Sequence, residues 1–547
     1  MSTKALEIVR SALAGRRAWL VGGAVRDRLL GRAVADLDVV FDGDPGQAAR
    51  AIAALAKRTG TPAACFALSE EFGAWRVVAR GGTWQVDVEA LRGDSLQADL
   101  RMRDFTVNAI AEPLVGGETL DPLGGLLDLR AGRLRMASPT ALEDDPLRVL
   151  RLVRVAVELG LQPVPEAIVA ARAQASRLEQ VSPERVFVEL QRIVASAQAL
   201  RGLELMSELG ATRVVLPELE AMRGVEQSRF HHRDVYGHTL EVLERTVELT
   251  ADASVSGSIS DAGVSGSIGD VGVPGSVGDV SVSGPIGDAG VSGPIGDVSV
   301  SEPISDVSVP GSISDASVSE MVGDVSVSGP IGALGVQQRA PVLQLLAEPL
   351  ADGMTRGQAL RWAALLHDAA KPTTRSVRVL DRRVTFIGHD VQGAELAREV
   401  LGRLRASVRL REHVAALVRH HLRLGFLVHE EQPLARDTVY RYLRACDPVE
   451  VDVTLLSVCD RLATRGAKAD YAIAAHVALA RRMLDDALRW RQDGPPKPLL
   501  RGDELARELG IALGPRVGQL LGELAEAQYT GRVSTREQAL ALMRTRY

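Results

Sequence analysis

The stretch from Leu20 to Val40, LVGGAVRDRLLGRAVADLDVV, constrains the N-terminal third of the chain more than any other segment. A short apolar run ends at Gly22 and Gly23, where glycine lets the backbone turn sharply and brings bare N–H groups close to an anion. Arg26 follows one helical turn later and offers a forked donor that suits phosphate oxygens. The segment is therefore interpreted as a strand followed by a phosphate-binding turn.

Asp36 and Asp38 lie in a segment, DLDVV, that alternates like a β-strand. Residues i and i+2 of a strand project from the same face, so the two carboxylates are expected side by side. Adjacent carboxylates repel each other unless a cation lies between them, and hard oxygen ligands select Mg²⁺. A phosphate-binding turn beside a paired-aspartate magnesium site indicates nucleotidyl transfer by a two-metal mechanism.

Length and composition narrow the class of protein. A chain of 547 residues is too long for one core and suggests three or four domains. Its three cysteines are scattered without a C-x-x-C pair, which argues against disulfides and a thiolate zinc site. The sequence shows no signal peptide and no apolar run that could span a bilayer, so a cytoplasmic protein without a membrane partner is expected.

The net charge of −6 is concentrated in one segment. Residues 251–337 carry 11 acidic side chains and neither Lys nor Arg, and leaving them out changes the net charge from −6 to +5. The remainder, in which Arg far outnumbers Lys, is therefore compatible with a nucleic-acid partner.

Strands mixed with helices over residues 1–135 predict a small α/β head. Trp75–Ala79 and Trp84–Glu89 alternate like strands. Asp87, in the second of these, is either a third carboxylate beside the aspartate pair or an acid on an edge strand, and the sequence leaves both interpretations open. From about residue 140 the apolar period becomes helical.

The motifs G-G-x-V-R-D, L-L-G and D-x-D together resemble the class II tRNA nucleotidyltransferase and bacterial poly(A) polymerase family, within the polymerase-β-like superfold. The segment RMRDFTVN, from Arg101 to Asn108, is similar to the R-R-D-F-T-x-N motif of that family, with Met102 in place of an arginine. The resemblance implies that Arg103 binds the triphosphate, while Asp104 and Asn108 shape the sugar site.

Arg148, Arg151 and Arg154 recur every three residues and drift only slowly around one helix face. Such a stripe is usually solvated, but here acidic residues precede it. The family has an E-D-x-x-R element that reads the incoming base, and Asp145 and Arg148 match its D and R, with Asp144 in place of Glu. All three arginines are therefore candidate nucleotide-binding residues.

The chemistry of that element explains its selectivity. Cytosine and adenine both present an exocyclic amine beside a ring-nitrogen acceptor, so a carboxylate can accept from the amine while a guanidinium donates to the ring. Uracil and guanine present a carbonyl and an N–H at these two positions, so both hydrogen bonds would have the wrong direction. The segment Ser182–Leu190, SPERVFVEL, also resembles the E-R-x-x-x-E-L helix that braces the base site in the family.

A later part of the chain resembles the HD family of metal-dependent phosphohydrolases, whose ligands follow the order H…HD…D. The four positions are filled by His238, His367, Asp368 and Asp460. Imidazole and carboxylate ligands together suit Mg²⁺, Mn²⁺, Ni²⁺ or Co²⁺. His389, in FIGHD, and the pair His420-His421 lie in the same unit.

A nine-residue repeat, such as SGSIGDVGV, runs from Ser256 to Val336 between His238 and His367. Period nine with a recurring Asp also occurs in calcium-binding β-rolls, but here Ile or Val stands where the roll needs Gly. Ser, Gly, Asp and Pro without aromatic or basic residues are typical of a disordered acidic insertion. Removing residues 251–337 shortens the His238–His367 separation from 129 to 42, so the repeat is expected to interrupt one domain.

The predicted fold class is α+β, with a small polymerase-β-like head followed by an all-helical body, an HD domain and a tail. The expected domains are a catalytic head (1–135), a helical neck for base selection and RNA binding (136–225), an HD domain (226–250 plus 338–470), the insertion (251–337) and a helical tail (471–547). The expected activity is template-independent transfer of CMP and AMP from CTP and ATP to the tRNA 3′ end, with Mg²⁺ in the head and phosphohydrolase activity in the HD domain. The sequence does not determine the oligomeric state.

The sequence leaves open which nucleotides the protein adds. Only sixteen residues separate Asp87 from Asp104, where family members that complete the whole CCA end generally carry a longer flexible loop. Enzymes that stop after CC resemble this shortened form, so CC-only addition is one alternative to full CCA addition. A poly(A) polymerase is another, although no basic G-R-[RK]-F-like element follows the head motif.

Two alternatives come from other classes of protein. One is a signalling nucleotidyltransferase that modifies a regulatory protein, but that family usually opens with G-S-x-A-R. The other is an HD-type RNA phosphohydrolase with a non-catalytic head, against which the intact Gly22-Gly23 and Asp36–Asp38 motifs argue.

Overall fold

The structure, a computed structural model, describes residues 2–34, 36–69, 73–227, 231–257, 329–379, 382–465 and 469–547. The fold is α+β, as predicted, with its one large sheet in the first 113 residues and mainly helices beyond it. Within these ranges, none of the helices combines the length and the apolar composition that a membrane crossing requires.

A six-stranded sheet forms the centre of the head. Its strands are β1 (Ala18–Val21), β2 (Asp36–Phe41), β3 (Ala63–Ser69), β4 (Ala74–Ala79), β5 (Gln85–Ala90) and β6 (Ala111–Pro113). They lie in the order β3-β4-β5-β2-β1-β6, with β2 and β5 parallel and all other neighbours antiparallel. The two strands predicted around Asp87 are confirmed as β4 and β5.

The helices of the head are α1 (Ser2–Ala12), α2 (Gly23–Leu29), α3 (Pro45–Arg58), α4 (Leu96–Arg101) and α5 (Gly125–Arg130), with a 3₁₀ turn at Thr106–Asn108. Most of them pack on one face of the sheet, whereas Leu100 of α4 packs with Val21 and Val40 on the other. Alternate strand residues such as Leu37, Val77 and Val86 are buried in one cluster with Ile52 of α3. Because side chains alternate along a strand, the carboxylates between these apolar residues project from the opposite, open face.

The neck consists of short helices after the head. They are α6 (Ala141–Asp144), α7 (Arg148–Leu159), α8 (Pro165–Gln174), α9 (Pro183–Ala195), α10 (Ala199–Glu208), α11 (Thr212–Val215) and α12 (Pro217–Ala221), with a 3₁₀ segment at Ala175–Gln180. A two-residue parallel pair, β7 (Arg133–Leu134) with β8 (Gln162–Pro163), connects the end of the head to the neck.

The remaining chain is also helical. Its helices are α13 (Val235–Gly257), α14 (Gly329–Ala333), α15 (Val336–Ala347), α16 (Arg356–Leu366), α17 (Lys371–Thr374), α18 (His389–Arg403), α19 (Val408–His420), α20 (Arg423–Leu427), α21 (Arg436–Cys446), α22 (Glu450–Ala463), α23 (Ala469–Asp493), α24 (Gly502–Leu509), α25 (Pro515–Tyr529) and α26 (Arg536–Arg546). Two small hairpins join β9 (Pro349–Ala351) to β10 (Met354–Thr355) and β11 (Ser376–Val377) to β12 (Val384–Thr385).

One apolar core runs from Phe105, at the base of the head, through the neck and the HD region to Trp490 in α23. Residues 500–543 form a separate small core. Arg361 of α16 links neck and HD region, because its guanidinium donates to the carbonyls of Ala195 and Ser196 at 2.7 and 2.8 Å. A cation at the C-terminus of α9 also complements the helix dipole.

Helical residues are present at both ends of the predicted insertion, 251–337, whose limits stay a prediction. Helix α13 continues through Gly257, and α14 begins at Gly329. Ala333 and Leu334 are buried, because the apolar sequence IGALG packs into the shared core. Residues 258–328, where disorder was predicted, lie outside the described residues. The other domain limits stay predictions.

Candidate active site and metal centre

The head carboxylates lie in register on neighbouring strands. Asp38 of β2 pairs with Asp87 of β5 in the parallel ladder, and Asp36 lies two residues earlier on β2. Since β5 lies between β4 and β2, the edge-strand interpretation of Asp87 is wrong. Paired and alternate positions share a face, so all three carboxylates project from the open side of the sheet.

Burial, with a contribution from neighbouring negative charge, raises the pKa of two of these groups. Burial raises the pKa of Asp38 to about 7, and the Asp87 charge adds to this shift while Arg103 opposes it. Burial and the Asp87 charge also raise the pKa of Asp36. Arg76 donates two hydrogen bonds of 2.7 Å to Asp87. Asp36 and Asp38 are therefore groups whose ionised forms a bound cation would stabilise.

Gly22 keeps the space beside these carboxylates open. Its φ of 71° lies in the left-handed region, which favours glycine. A Cβ at this position would lie 3.2 Å from Nη1 of Arg103 and 3.3 Å from Oδ2 of Asp38. Gly22 therefore lets a cationic donor and a candidate metal ligand approach the same turn, while Gly23 begins α2 directly after it.

Arg103 is a cationic group beside Gly22 and Asp38. Its Nη2 is 3.3 Å from Asp99 and 3.9 Å from Glu89. Its Nε is buried without a hydrogen-bond partner among the described residues. Buried polar groups are normally paired, so this donor is a candidate ligand contact, and the predicted contact with the triphosphate stays a prediction.

Arg26, by contrast, is occupied by protein partners. Its guanidinium donates to Asp27 at 2.8 and 2.9 Å and to the side-chain oxygen of Asn108. Asn108 in turn donates to Asp104 at 2.9 Å. In this structure Arg26 organises the RMRDFTVN segment, and its predicted contact with phosphate stays a prediction.

Asp104 is the centre of a buried polar network. Arg151 donates to it from Nε at 2.9 Å, and the backbone N–H of Phe105 donates at 2.8 Å. Burial raises the pKa of Asp104, but Arg151 and the hydrogen bond from Asn108 outweigh this effect and hold it below its usual value. The Asp104 charge raises the pKa of Arg151, and burial opposes this shift. This ion pair connects the head to helix α7 of the neck.

The predicted base-reading pair is positioned by other groups. Arg185 of α9 donates to Asp145 at 2.7 Å, and the backbone N–H of Leu147 donates at 3.1 Å. Arg148 instead donates to the carbonyls of Met102 and Ala141 at 2.8 and 2.9 Å. Arg185 belongs to the segment predicted to brace the base site, and the base-reading role of Asp145 and Arg148 stays a prediction.

Arg154 is also occupied by protein partners. It is buried and donates to Glu189 of α9 and to Glu158, the latter at 2.9 Å. In this structure Arg154 braces the neck, and its predicted nucleotide contact stays a prediction.

The HD region brings together two groups of metal-binding side chains. Candidate ligand atoms in each group lie within 4.8 Å of one another. The first group is His238, His367 and Asp460, and the second is Asp368, His389 and His421. The four predicted ligands are thus assembled together with two histidines that the four-position sequence pattern missed. FIGHD and His420-His421 were visible, but a single histidine is more often an ordinary core residue.

Three histidines are oriented in the same way. The Nδ1 atoms of His367, His389 and His421 lie 2.8, 2.7 and 2.6 Å from carbonyls three residues earlier in the chain. The Nε2 atoms of His367 and His389 are buried without a hydrogen-bond partner among the described residues. A carbonyl that holds Nδ1–H leaves Nε2 as a lone-pair donor, which is the usual arrangement of metal-ligating histidines.

Charges and burial act differently on these histidines: burial lowers the pKa of His389, whereas for His367 burial is outweighed by the Asp368 carboxylate, which raises the pKa. Burial and the neighbouring His367 lower the pKa of His421 to about 3. Lys371 lies 2.7 Å from Asp368 and compensates its charge. A cavity of about 300 Å³ opens beside the ligands and is also lined by Ser457, Arg461 and His476. The donor set fits one or two divalent metal ions beside a substrate-sized cavity.

Comparisons with known proteins match three family models to separate parts of the chain. Residues 18–135 match the poly(A) polymerase head domain, residues 160–223 the probable RNA- and SrmB-binding site of polymerase A, and residues 343–465 the HD domain. An A-adding tRNA nucleotidyltransferase of Deinococcus radiodurans is 32% identical over 530 residues, covering 96% of this chain and 94% of the relative. The chain belongs to the tRNA nucleotidyltransferase family.

A second relative is named as a CC-adding enzyme. The CC-adding tRNA nucleotidyltransferase of Thermus thermophilus is 30% identical over 534 residues, covering 96% of this chain and 93% of the relative. A solved structure of the Bacillus stearothermophilus CCA-adding enzyme in complex with CTP has a TM-score of 0.54 at 19% identity, covering 100% of this chain and 97% of that one. At this identity the likeness shows a shared fold.

His421→Ala should lower the number of divalent ions bound per HD region, because it removes a buried imidazole whose Nε2 faces Asp368. Metal content of the metal-loaded protein, measured by elemental analysis after desalting, checks this. His420→Ala is the matched control, since His420 pairs with Arg423 at 2.8 Å and belongs to neither ligand group. Equal metal content in both variants and the wild type would contradict the assignment.

Proposed function

We propose that this nucleotidyltransferase adds C and A residues, from CTP and ATP, to the 3′ end of tRNA without a template. The observation that carries the proposal is the alignment of Asp36, Asp38 and Asp87 on one open sheet face beside Gly22 and Arg103. Family membership and the names of the relatives support the substrate. The alternative of a non-catalytic head is not favoured, because its carboxylates and triphosphate donor are assembled together.

Each part of the reaction has its own residues. Asp36 and Asp38 would hold Mg²⁺, which when bound lowers the pKa of the primer hydroxyl and neutralises triphosphate charge. Arg103 binds the phosphates, and Gly22 leaves room for them. Asp87 is held by Arg76 as the third carboxylate of the site.

Base choice depends on Asp145 and Arg148, which protein contacts hold in place. Asp145 accepts from the exocyclic amine of cytosine or adenine, and Arg148 donates to the adjacent ring nitrogen. The Arg185–Asp145 ion pair orients the carboxylate before the nucleotide binds. Uracil and guanine are rejected because they present a carbonyl to Asp145 and an N–H to Arg148.

Both C and A addition are proposed despite the short connection after Asp87. That connection contains α4, and Asp99 of this helix accepts from Arg92 and Arg103. The A-adding and the CC-adding relative are each similar over 96% of this chain, so the proposal includes both steps and does not favour the CC-only interpretation of the short connection. Extension of tRNAs that lack one, two or three 3′ nucleotides, with CTP and ATP separately and together, tests each step; no AMP addition to a tRNA ending in CC would contradict the proposal.

Asp38→Asn should abolish nucleotide addition while leaving the fold intact, because it removes a metal ligand on an open face. Metal stabilisation contributes several kcal/mol, so a rate loss of about a thousandfold or more is expected. Gel analysis of tRNA extension measures the rate, and Asp42→Asn, at an exposed carboxylate later in the chain, is the control. Substantial activity in Asp38→Asn would contradict the two-metal assignment.

Asp145→Ala should relax base choice more than it weakens triphosphate binding, because the phosphates are bound elsewhere. Loss of a charge-assisted hydrogen bond costs about 1.5–3 kcal/mol, roughly a tenfold to hundredfold loss of discrimination. Misincorporation of UMP and GMP is measured by competition with CTP and ATP. Glu143→Ala, an exposed acid two residues away, should behave like wild type; unchanged selectivity in Asp145→Ala would exclude this base-reading role.

The HD region favours a second activity, metal-dependent hydrolysis of phosphoesters, because its two ligand groups border a cavity that also contains Lys371 and Arg461. Mg²⁺, Mn²⁺, Ni²⁺ and Co²⁺ are the proposed ions. Polarisation of a phosphoryl oxygen and activation of water are what such ions supply when bound.

His367→Ala should abolish hydrolysis of a phosphomonoester or a 2′,3′-cyclic phosphate without affecting nucleotide addition, because the two sets of ligands lie in different domains. Phosphate release and tRNA extension are measured on the same preparation. Asp38→Asn serves as the reciprocal control and should retain hydrolysis. Equal loss of both activities in His367→Ala would mean that the HD region acts as structural support for the head.

A further inference from the structure

One row of side chains crosses four strands of the head sheet. In successive ladders Asp38 pairs with Asp87, Asp87 with Arg76, and Arg76 with Phe66. Residues paired in register project from the same face of a sheet. Phe66 therefore lies on the same open face as the catalytic carboxylates, at the edge strand β3.

Phe66 is unusually exposed for an aromatic residue beside an active site. Its exposed fraction is 47%, whereas Cys65, which precedes it on the opposite face of β3, packs against the apolar cluster of the head. Only 3% of the chain is aromatic. An exposed aromatic ring in line with the reacting groups is therefore a candidate ligand contact.

The position of the triphosphate determines which ligand reaches this ring. Gly22 and Arg103 lie on the β1 side of Asp38, because Gly22 directly follows the strand that pairs with β2. Attacking and leaving oxygens are roughly in line during phosphoryl transfer, so the primer hydroxyl approaches from the side opposite the pyrophosphate. On the open face of the sheet, the side opposite β1 is formed by β5, β4 and β3.

The distance between Phe66 and Asp38 is too long for the ring to contact the reacting nucleotide itself. Three strand spacings of about 4.8 Å place Phe66 roughly 14 Å from Asp38. Since stacked nucleotides rise about 3.4 Å each, the ring lies a few nucleotides upstream of the reacting 3′ end. Bases of every kind have a face that can stack on an aromatic ring, so this contact would not depend on sequence.

We propose that Phe66 is a stacking platform for an unpaired base of the RNA primer, upstream of the nucleotide that carries the attacking hydroxyl. This inference rests on the proposed function for the identity of the ligand as RNA. The platform is continuous with the catalytic row, and Arg76 lies between the two. It would hold the single-stranded 3′ tail across the sheet while the terminal hydroxyl reaches the carboxylates.

Binding tests the platform without requiring catalysis. The probes are two fluorescently labelled hairpin RNAs, one with an unpaired 3′ tail of three nucleotides and one with a blunt end, measured by anisotropy with the full chain. Phe66→Ala should weaken binding of the tailed RNA roughly fivefold to a hundredfold and leave the blunt RNA unchanged. Phe66→Trp should retain tailed-RNA affinity, because it preserves an aromatic face.

Val115→Ala is the matched control, because Val115 is an exposed apolar residue next to β6 at the opposite sheet edge. Unchanged tailed-RNA affinity in Phe66→Ala, or an equal loss for both RNAs, would overturn the platform. A change of oligomeric state in Phe66→Ala, detected by sedimentation, without a change in RNA affinity would overturn it in favour of a protein interface. Failure of the wild type to extend tRNA, despite tail-dependent binding through Phe66, would refute the proposed function and leave the RNA platform supported.

Discussion

The ion pair between Asp104 and Arg151 is the interaction on which the head site depends. Asp104 is buried, and its charge is balanced by a guanidinium from the neck and by hydrogen bonds from Asn108 and its own segment. Removing one partner of such a pair leaves an uncompensated buried charge, which strongly destabilises the fold. The ion pair holds Arg103, the next residue to the N-terminal side and the proposed triphosphate contact, close to helix α7, whose first residue, Arg148, is the proposed base reader.

The HD region builds its site from four histidines and two aspartates. Six potential ligands converge below the protein surface, and backbone carbonyls orient the histidines before any ion binds. This centre shares one continuous core with the neck, while the head carboxylates lie on a separately packed sheet. The head site and the HD site are therefore assembled by separate apolar clusters, and the neck connects the two parts of the chain.

Short-range patterns in the sequence were sufficient for much of this organisation. Residues two apart on a strand share a face, so Asp36 and Asp38 were predicted as a pair; helical spacing placed Arg148 and Arg151 in one stripe. The ordered motifs identified the family and four of the six candidate HD ligands. These inferences succeed because they depend on local geometry and on motifs with several specified positions.

Tertiary structure alone decided which distant groups meet. Asp87 became a neighbour of Asp38 only through the parallel pairing of β2 with β5, and Phe66 joined the same row through two further ladders. Arg154 lies on the predicted arginine stripe but is turned into a buried pair with Glu189, and His389 and His421 became candidate ligands only when α18 and α19 packed beside α16. Spacing along the chain determines the face of an element, whereas the partner of that face depends on strand order and helix packing, which a local pattern does not contain.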